Sequence, residues 1–162
     1  MILLPLLLAL AAVDPVTDPI GPALEGQRQC YGPDTERRTC RALAGYTREP
    51  DGRLLNQAEV LIAREPPVIM HSVSEVVVRD GAICGRGGGV ETATFTLLGR
   101  TLDEETTGNI RRVLTAEDRG ETCTRYLDRG ETLWADPVVD GEPVPGDRVI
   151  WVSPEDGYVV GP

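Results

Sequence analysis

The sequence predicts an α+β fold: a mainly antiparallel β-sheet with hairpins, one short helix packed on it, and two disulfides as crosslinks. Three observations carry this expectation. Turn signals recur at short intervals, at Pro50-Asp51-Gly52, Asp80-Gly81, Asp128-Arg129-Gly130, Asp140-Gly141 and Pro154-Glu155-Asp156-Gly157, with β-branched runs between them. Ala93, Phe95 and Leu97 alternate with Thr92, Thr94 and Thr96, the pattern of a half-buried strand. Only the stretch 102–117 joins helical spacing to an N-terminal capping signature.

Each element has its own signature. Val76-Val77-Val78, Asp80-Gly81 and Ile83-Cys84 read as one hairpin. Residues 149–152 and 158–160 flank a four-residue turn and read as a second. In the run LLNQAEVLIARE, Ala58, Val60 and Ile62 alternate as a strand does, while Leu54, Ala58, Leu61 and Ile62 also share a helical face. The preceding Pro-Asp-Gly turn favours the strand. For the helix, Thr101 and Glu104 form a capping box, and Asp103, Glu104 and Glu105 set negative charge at the positive end of the dipole. Ile110, Val113 and Leu114 make its apolar stripe. The pentapeptide DRGET occurs at 118–122 and again at 128–132, ten residues apart, as consecutive strand-plus-turn units would place it.

The N-terminus carries an address. Residues 2–13 are uncharged and broken only by Pro5, and Ala9 and Ala11 supply the small residues of a signal-peptidase site. Twelve helical residues span only ~18 Å of a ~30 Å hydrocarbon core, so the run reads as a cleaved signal and not as a membrane span. The organisation that follows is a signal peptide over 1–12, an extended Pro-rich linker over 13–26 and a single globular domain over 27–162. Export places the chain in the periplasm or outside the cell, where thiols oxidise. Cys30, Cys40, Cys84 and Cys123 allow three pairings. Cys30–Cys40 and Cys84–Cys123 are favoured, because Tyr31-Gly32-Pro33-Asp34 can turn the first loop back on itself. In the loop-entropy model these crosslinks contribute about 3 and about 4 kcal/mol, so losing Cys84 or Cys123 is expected to cost more. The chain has no Cys-x-x-Cys spacing of the kind structural zinc sites use.

Composition narrows the chemistry. The 162 residues are 41% hydrophobic and 26% charged, a globular balance, with a formal net charge of −10. All 16 basic residues are arginine, the usage that GC-rich bacterial coding favours. Without lysine there is no P-loop amine, no Schiff base and no Ser-x-x-Lys nucleophile pair. The acidic balance argues against nucleic acid and anionic membrane surfaces as partners. Arg37, Arg38 and Arg41, and the pair Arg111 and Arg112, read as solvated faces.

Candidate sites are few. His71 lies near Ser72, Ser74 and Glu75. On a strand, however, the serines face away from the imidazole, which opposes a nucleophile–base pair. Gly85-Arg86-Gly87-Gly88-Gly89 departs from the dinucleotide fingerprint at Val90 and reads as a flexible loop. Asp136, Asp140, Glu142 and Asp147 read as turn carboxylates, off the EF-hand spacing. Trp134 and Trp151 are the candidate partner-binding residues if one sheet face exposes both. No cofactor is implied. The function expected is that of an exported, non-enzymatic envelope accessory or protein-interaction module. A small carboxylate-dependent hydrolase of envelope glycans, or a disulfide-stabilised inhibitor or immunity-type binder, stands as the alternative.

Overall fold

The structure, a computed structural model, describes residues 15–116 and 120–162. The expected signal segment and the start of the first DRGET copy lie outside the described residues. In chain order the elements are α1 (Gly21–Leu24), β1 (Arg28–Tyr31), β2 (Thr39–Cys40), β3 (Ala42–Arg48), β4 (Leu54–Arg64), β5 (Pro67–Arg79), β6 (Ala82–Arg86), β7 (Thr94–Leu97) and β8 (Arg100–Thr101). There follow α2 (Glu104–Ala116), β9 (Glu121–Asp128), β10 (Leu133–Val139), β11 (Glu142–Pro143), β12 (Asp147–Val152) and β13 (Val159–Val160).

The sheet is antiparallel, as expected, but it closes on itself. Strands β1, β3, β4, β5, β6, β9, β10 and β12 each pair with the next, and β12 returns to β1, giving an eight-stranded up-and-down barrel. The expected antiparallel sheet with one helix packed on it is present, and closure into a barrel is what the expectation lacked. Closure pairs the first strand with the last, Gln29 opposite Trp151 and Tyr31 opposite Val149. It removes the exposed edges that an open sheet of these strands would carry.

Period-two alternation sorts the side chains. Gln29 and Tyr31, Ala44 and Tyr46, Leu54, Val76, Ile83, Tyr126, Ala135, Val149 and Trp151 belong to the interior. Charges lie outward, with Arg28 paired to Glu59 at 2.7 Å and Arg79 to Glu121 at 3.0 Å. No helix among the described residues is long and apolar enough to cross a membrane.

Local chemistry explains most elements. Asp80 (φ 51°) and Gly81 (φ 74°) form a two-residue turn with positive φ at both positions, which suits the twist of the β5–β6 hairpin. The ambiguous run is strand β4, with Ala58 opposite Ala44 on one side and Ser72 on the other. Glu121 and Thr122 of the first DRGET copy open β9, and Asp128 of the second closes it before the turn into β10.

Four expectations change. The segment expected as a linker is, from Pro15 onward, part of the domain. Val16 donates its N–H to the Tyr126 carbonyl at 2.8 Å, and Ile20 and Ala23 are buried in the barrel's lower end. Its prolines mask a short helix that begins at Gly21, with Pro22 in the first turn, where an amide hydrogen has no helical partner to lose. The C-terminal hairpin does not form. Ser153 and Asp156 cap a single 3₁₀ turn, Gly157 reverses the chain at φ 71°, and β13 then runs parallel to β2. The helix is capped by Asp103 and not by Thr101, which pairs with Thr96 in the sheet. Asp103 accepts the N–H of Thr106 at 2.9 Å, and that bond holds its carboxyl below the ordinary carboxylate range. Finally, Val113 is 61% exposed, while Ile110, Leu114 and Leu102 pack on Met70, Ala93 and Phe95.

Both expected disulfides are present, Cys30–Cys40 and Cys84–Cys123. Cys30 and Cys40 lie outside the barrel wall, buried with Leu43, Val152 and Val160 beneath the β2–β13 flap. Cys84 and Cys123 are directly opposite residues of β6 and β9.

Candidate ligand site in the barrel lumen

The barrel's lower end is solid. Gln29 is fully buried there, and the hydroxyls of Tyr31, Tyr46 and Tyr126 converge on its Oε1 at 3.0, 3.1 and 3.2 Å. One carbonyl oxygen offers two lone pairs to three phenol protons. The direct hydrogen bond between the Tyr31 and Tyr126 hydroxyls accommodates the third. Burial is the main cause that pushes all three phenols above their usual range. For Tyr31 and Tyr46, the neighbouring Tyr126 phenol raises them further. Gln29 Nε2 reaches the Pro19 carbonyl at 3.4 Å, so the same side chain ties the N-terminal segment to the barrel floor.

Above this floor the side chains become too small to meet. Ala42, Ala44, Asn56, Ala58, Val60, Ser74, Val76, Gly85, Thr122 and Thr124 enclose a cavity of about 550 Å³. Alternation along β3, β4, β5 and β9 sends these residues inward, and Gly85 adds no side chain at all. The cavity reaches the surface beside Arg41, whose side chain is 57% exposed and bonded to Asp147 at 2.5 Å.

Gly87 and Gly88 form the opposite rim. The glycine-rich stretch, expected to be a flexible loop, is a built turn. Gly88 and Gly89 hold φ of 51° and 73°, and a Cβ on Gly89 would lie 2.4 Å from the Val73 carbonyl oxygen. Only glycine combines that backbone region with that approach.

The sequence-derived candidates disperse. Trp134 faces outward with the Arg129 guanidinium 4.9 Å over its ring, whereas Trp151 packs against the interior cluster. The two do not share a face. His71 faces outward with Nε2 3.1 Å from Thr96 Oγ1, and Ser72 and Ser74 point inward as the strand pattern required. Asp147 bonds Arg41, Asp140 accepts the N–H of Glu121, and no three metal-ligating side chains cluster among the described residues. The arginine clusters are engaged as well, Arg111 with Glu104 and Arg37 with Asp34. On the outer face, a groove of about 1180 Å³ runs between α1 and strands β3–β5, past Leu24, Val73, Arg28, Glu59 and His71.

Sequence reasoning missed the lumen. Its signal was available: Ala42, Ala44, Ala58, Ser74 and Gly85 are small residues at inward positions, where a filled barrel sets larger ones. Without knowledge of closure, those positions read as one face of an open sheet. No family model matches the chain, and neither curated proteins nor solved structures yield a match.

Proposed function

We propose that the chain is an exported, non-enzymatic binding protein whose working part is the barrel lumen, which takes up one small molecule. One observation carries the reading: a closed barrel, solid at its tyrosine floor, widens into a cavity of about 550 Å³ open at the Arg41 rim. Specific ligand pockets have volumes of roughly 300–1,000 Å³ and mostly apolar walls with a few polar groups. The residues that line this one are neutral except Arg41. They present no paired carboxylates for glycan hydrolysis and no imidazole or free thiol for nucleophilic attack. Two disulfides fit the oxidising compartment that the signal-like N-terminus implies. The envelope-accessory role expected from the sequence thereby becomes that of a carrier or sensor of a small molecule.

A second reading keeps the protein-interaction role and assigns it to the outer groove, where Leu24 and Val73 are exposed beside the Arg28–Glu59 pair. N-Phenyl-1-naphthylamine, a neutral dye that brightens out of water, separates the two. It is expected to bind at one site per chain. Ala42→Phe, which fills the half-buried upper lumen, is expected to weaken binding at least tenfold with the thermal midpoint retained. Val60→Phe is the second filling variant should the first fold poorly. Val73→Ser on the outer groove should leave binding unchanged. Dye binding that ignores both lumen variants and falls with Val73→Ser would move the site outside.

A further inference from the structure

The lumen wall sets polar groups beside apolar ones. On β4, β5 and β9, Asn56, Ser74, Thr122 and Thr124 stand among the apolar Ala58, Val60, Val76 and Ile83. Across the barrel from Thr122 and Thr124 of β9, strand β3 presents Ala42 and Ala44. The hydroxyls of Ser74, Thr122 and Thr124 have no protein partner among the described residues. Asn56 spends its amide N–H on the Gly45 carbonyl at 3.3 Å and keeps Oδ1 as an acceptor. These groups border the cavity and are not sealed in the core, where, among the described residues, no buried side-chain polar atom lacks a partner. The tyrosine hydroxyls, by contrast, are engaged with Gln29 and with one another.

Charge on the ligand is disfavoured from two directions. The single cation of the rim, Arg41, is already bonded to Asp147 at 2.5 Å. An anion would also approach a chain of net charge −10. A cation would find no carboxylate among the lining residues. Desolvating an ion without a partner costs far more than desolvating a hydroxyl that is met by another hydroxyl.

From this arrangement we infer that the lumen's ligand is an uncharged, mainly apolar molecule that carries hydroxyl or carbonyl oxygens. The oxygens meet Ser74, Thr122, Thr124 and Asn56, and the apolar surface lies on Ala42, Ala44, Ala58, Val60 and Val76. The inference rests on the lumen being the binding site.

Three probes of one ring size test it on the full chain by calorimetric titration at pH 7: 1-naphthol, 1-methylnaphthalene and 1-naphthalenesulfonate. The hydroxylated probe is expected to bind about fivefold or more tighter than the methyl one, the worth of one net hydrogen bond. The sulfonate is expected to be the weakest. Ser74→Ala with Thr122→Val and Thr124→Val should erase the preference while 1-methylnaphthalene still binds, which also shows that the variant barrel is intact. Equal binding of 1-naphthol and 1-methylnaphthalene to the unaltered chain would overturn the inference and leave the lumen reading standing. A sulfonate that binds tightest would overturn it as well. Failure of all three to bind would remove the lumen reading itself.

Discussion

Gln29 ties the N-terminal segment to the barrel floor: its amide nitrogen reaches Pro19, while its oxygen gathers Tyr31, Tyr46 and Tyr126. Gln29→Leu would leave three buried phenols with one another as their only partners, a loss on the order of 3 kcal/mol by chemical denaturation. The same cluster sets the alkaline limit of the fold. Each phenol is raised above its unfolded value near 10. Between the unfolded and folded pKa values the native state holds more protons, so stability is full below about pH 10 and falls above it. Absorbance at 295 nm should show Tyr31, Tyr46 and Tyr126 ionising together with loss of structure. Three phenolates forming near pH 10 in a still-folded chain would show that the cluster is open to solvent. None of this was legible beforehand, because Gln29 and Tyr126 meet across 97 residues.

Elements set by local chemistry were the legible ones. The Asp80-Gly81 hairpin, strand β4 and helix α2 follow from turn residues, alternation and capping, each settled within a few neighbours. Where a distant partner decides, the local reading fails. Residues 158–160 leave β12 for β2, and the described part of the Pro-rich segment, 15–26, packs against Tyr126 and Gln29. The disulfides show the same division. Loop length alone ranks Cys84–Cys123 above Cys30–Cys40, at about 4 against about 3 kcal/mol. Burial narrows the gap, since both Cys30 and Cys40 lie in a packed cluster while Cys123 is only half-buried. Voids left by alanine add about 1 kcal/mol at each buried position. Cys30→Ala with Cys40→Ala, and Cys84→Ala with Cys123→Ala, are therefore expected to lose similar amounts, each on the order of 5 kcal/mol. A deficit at least 2 kcal/mol larger for the second pair would restore the ranking by loop length.

Across the whole molecule, closure converts one face of a sheet into an interior. The alternation of Ala42-Leu43-Ala44 or Ser72-Val73-Ser74 states which residues share a face, not that the face curls to meet itself. Pairing of β1 with β12 supplies that information, and it lies in contacts between the two ends of the described chain. Once closed, the barrel has one plugged end, where α1, Gln29 and the tyrosines meet, and one open end, where small residues leave room. The outer wall keeps its charges, and the flap over Cys30–Cys40 and helix α2 over Phe95 bury the remaining apolar surface. Whether the open end takes a small molecule is read most directly from methyl chemical shifts during a titration with 1-naphthol. Shifts should concentrate on Ala42, Ala44, Ala58, Val60 and Val76, with Leu24 and Val73 of the outer groove unmoved. Shifts confined to Leu24 and Val73 would refute the lumen as the binding site.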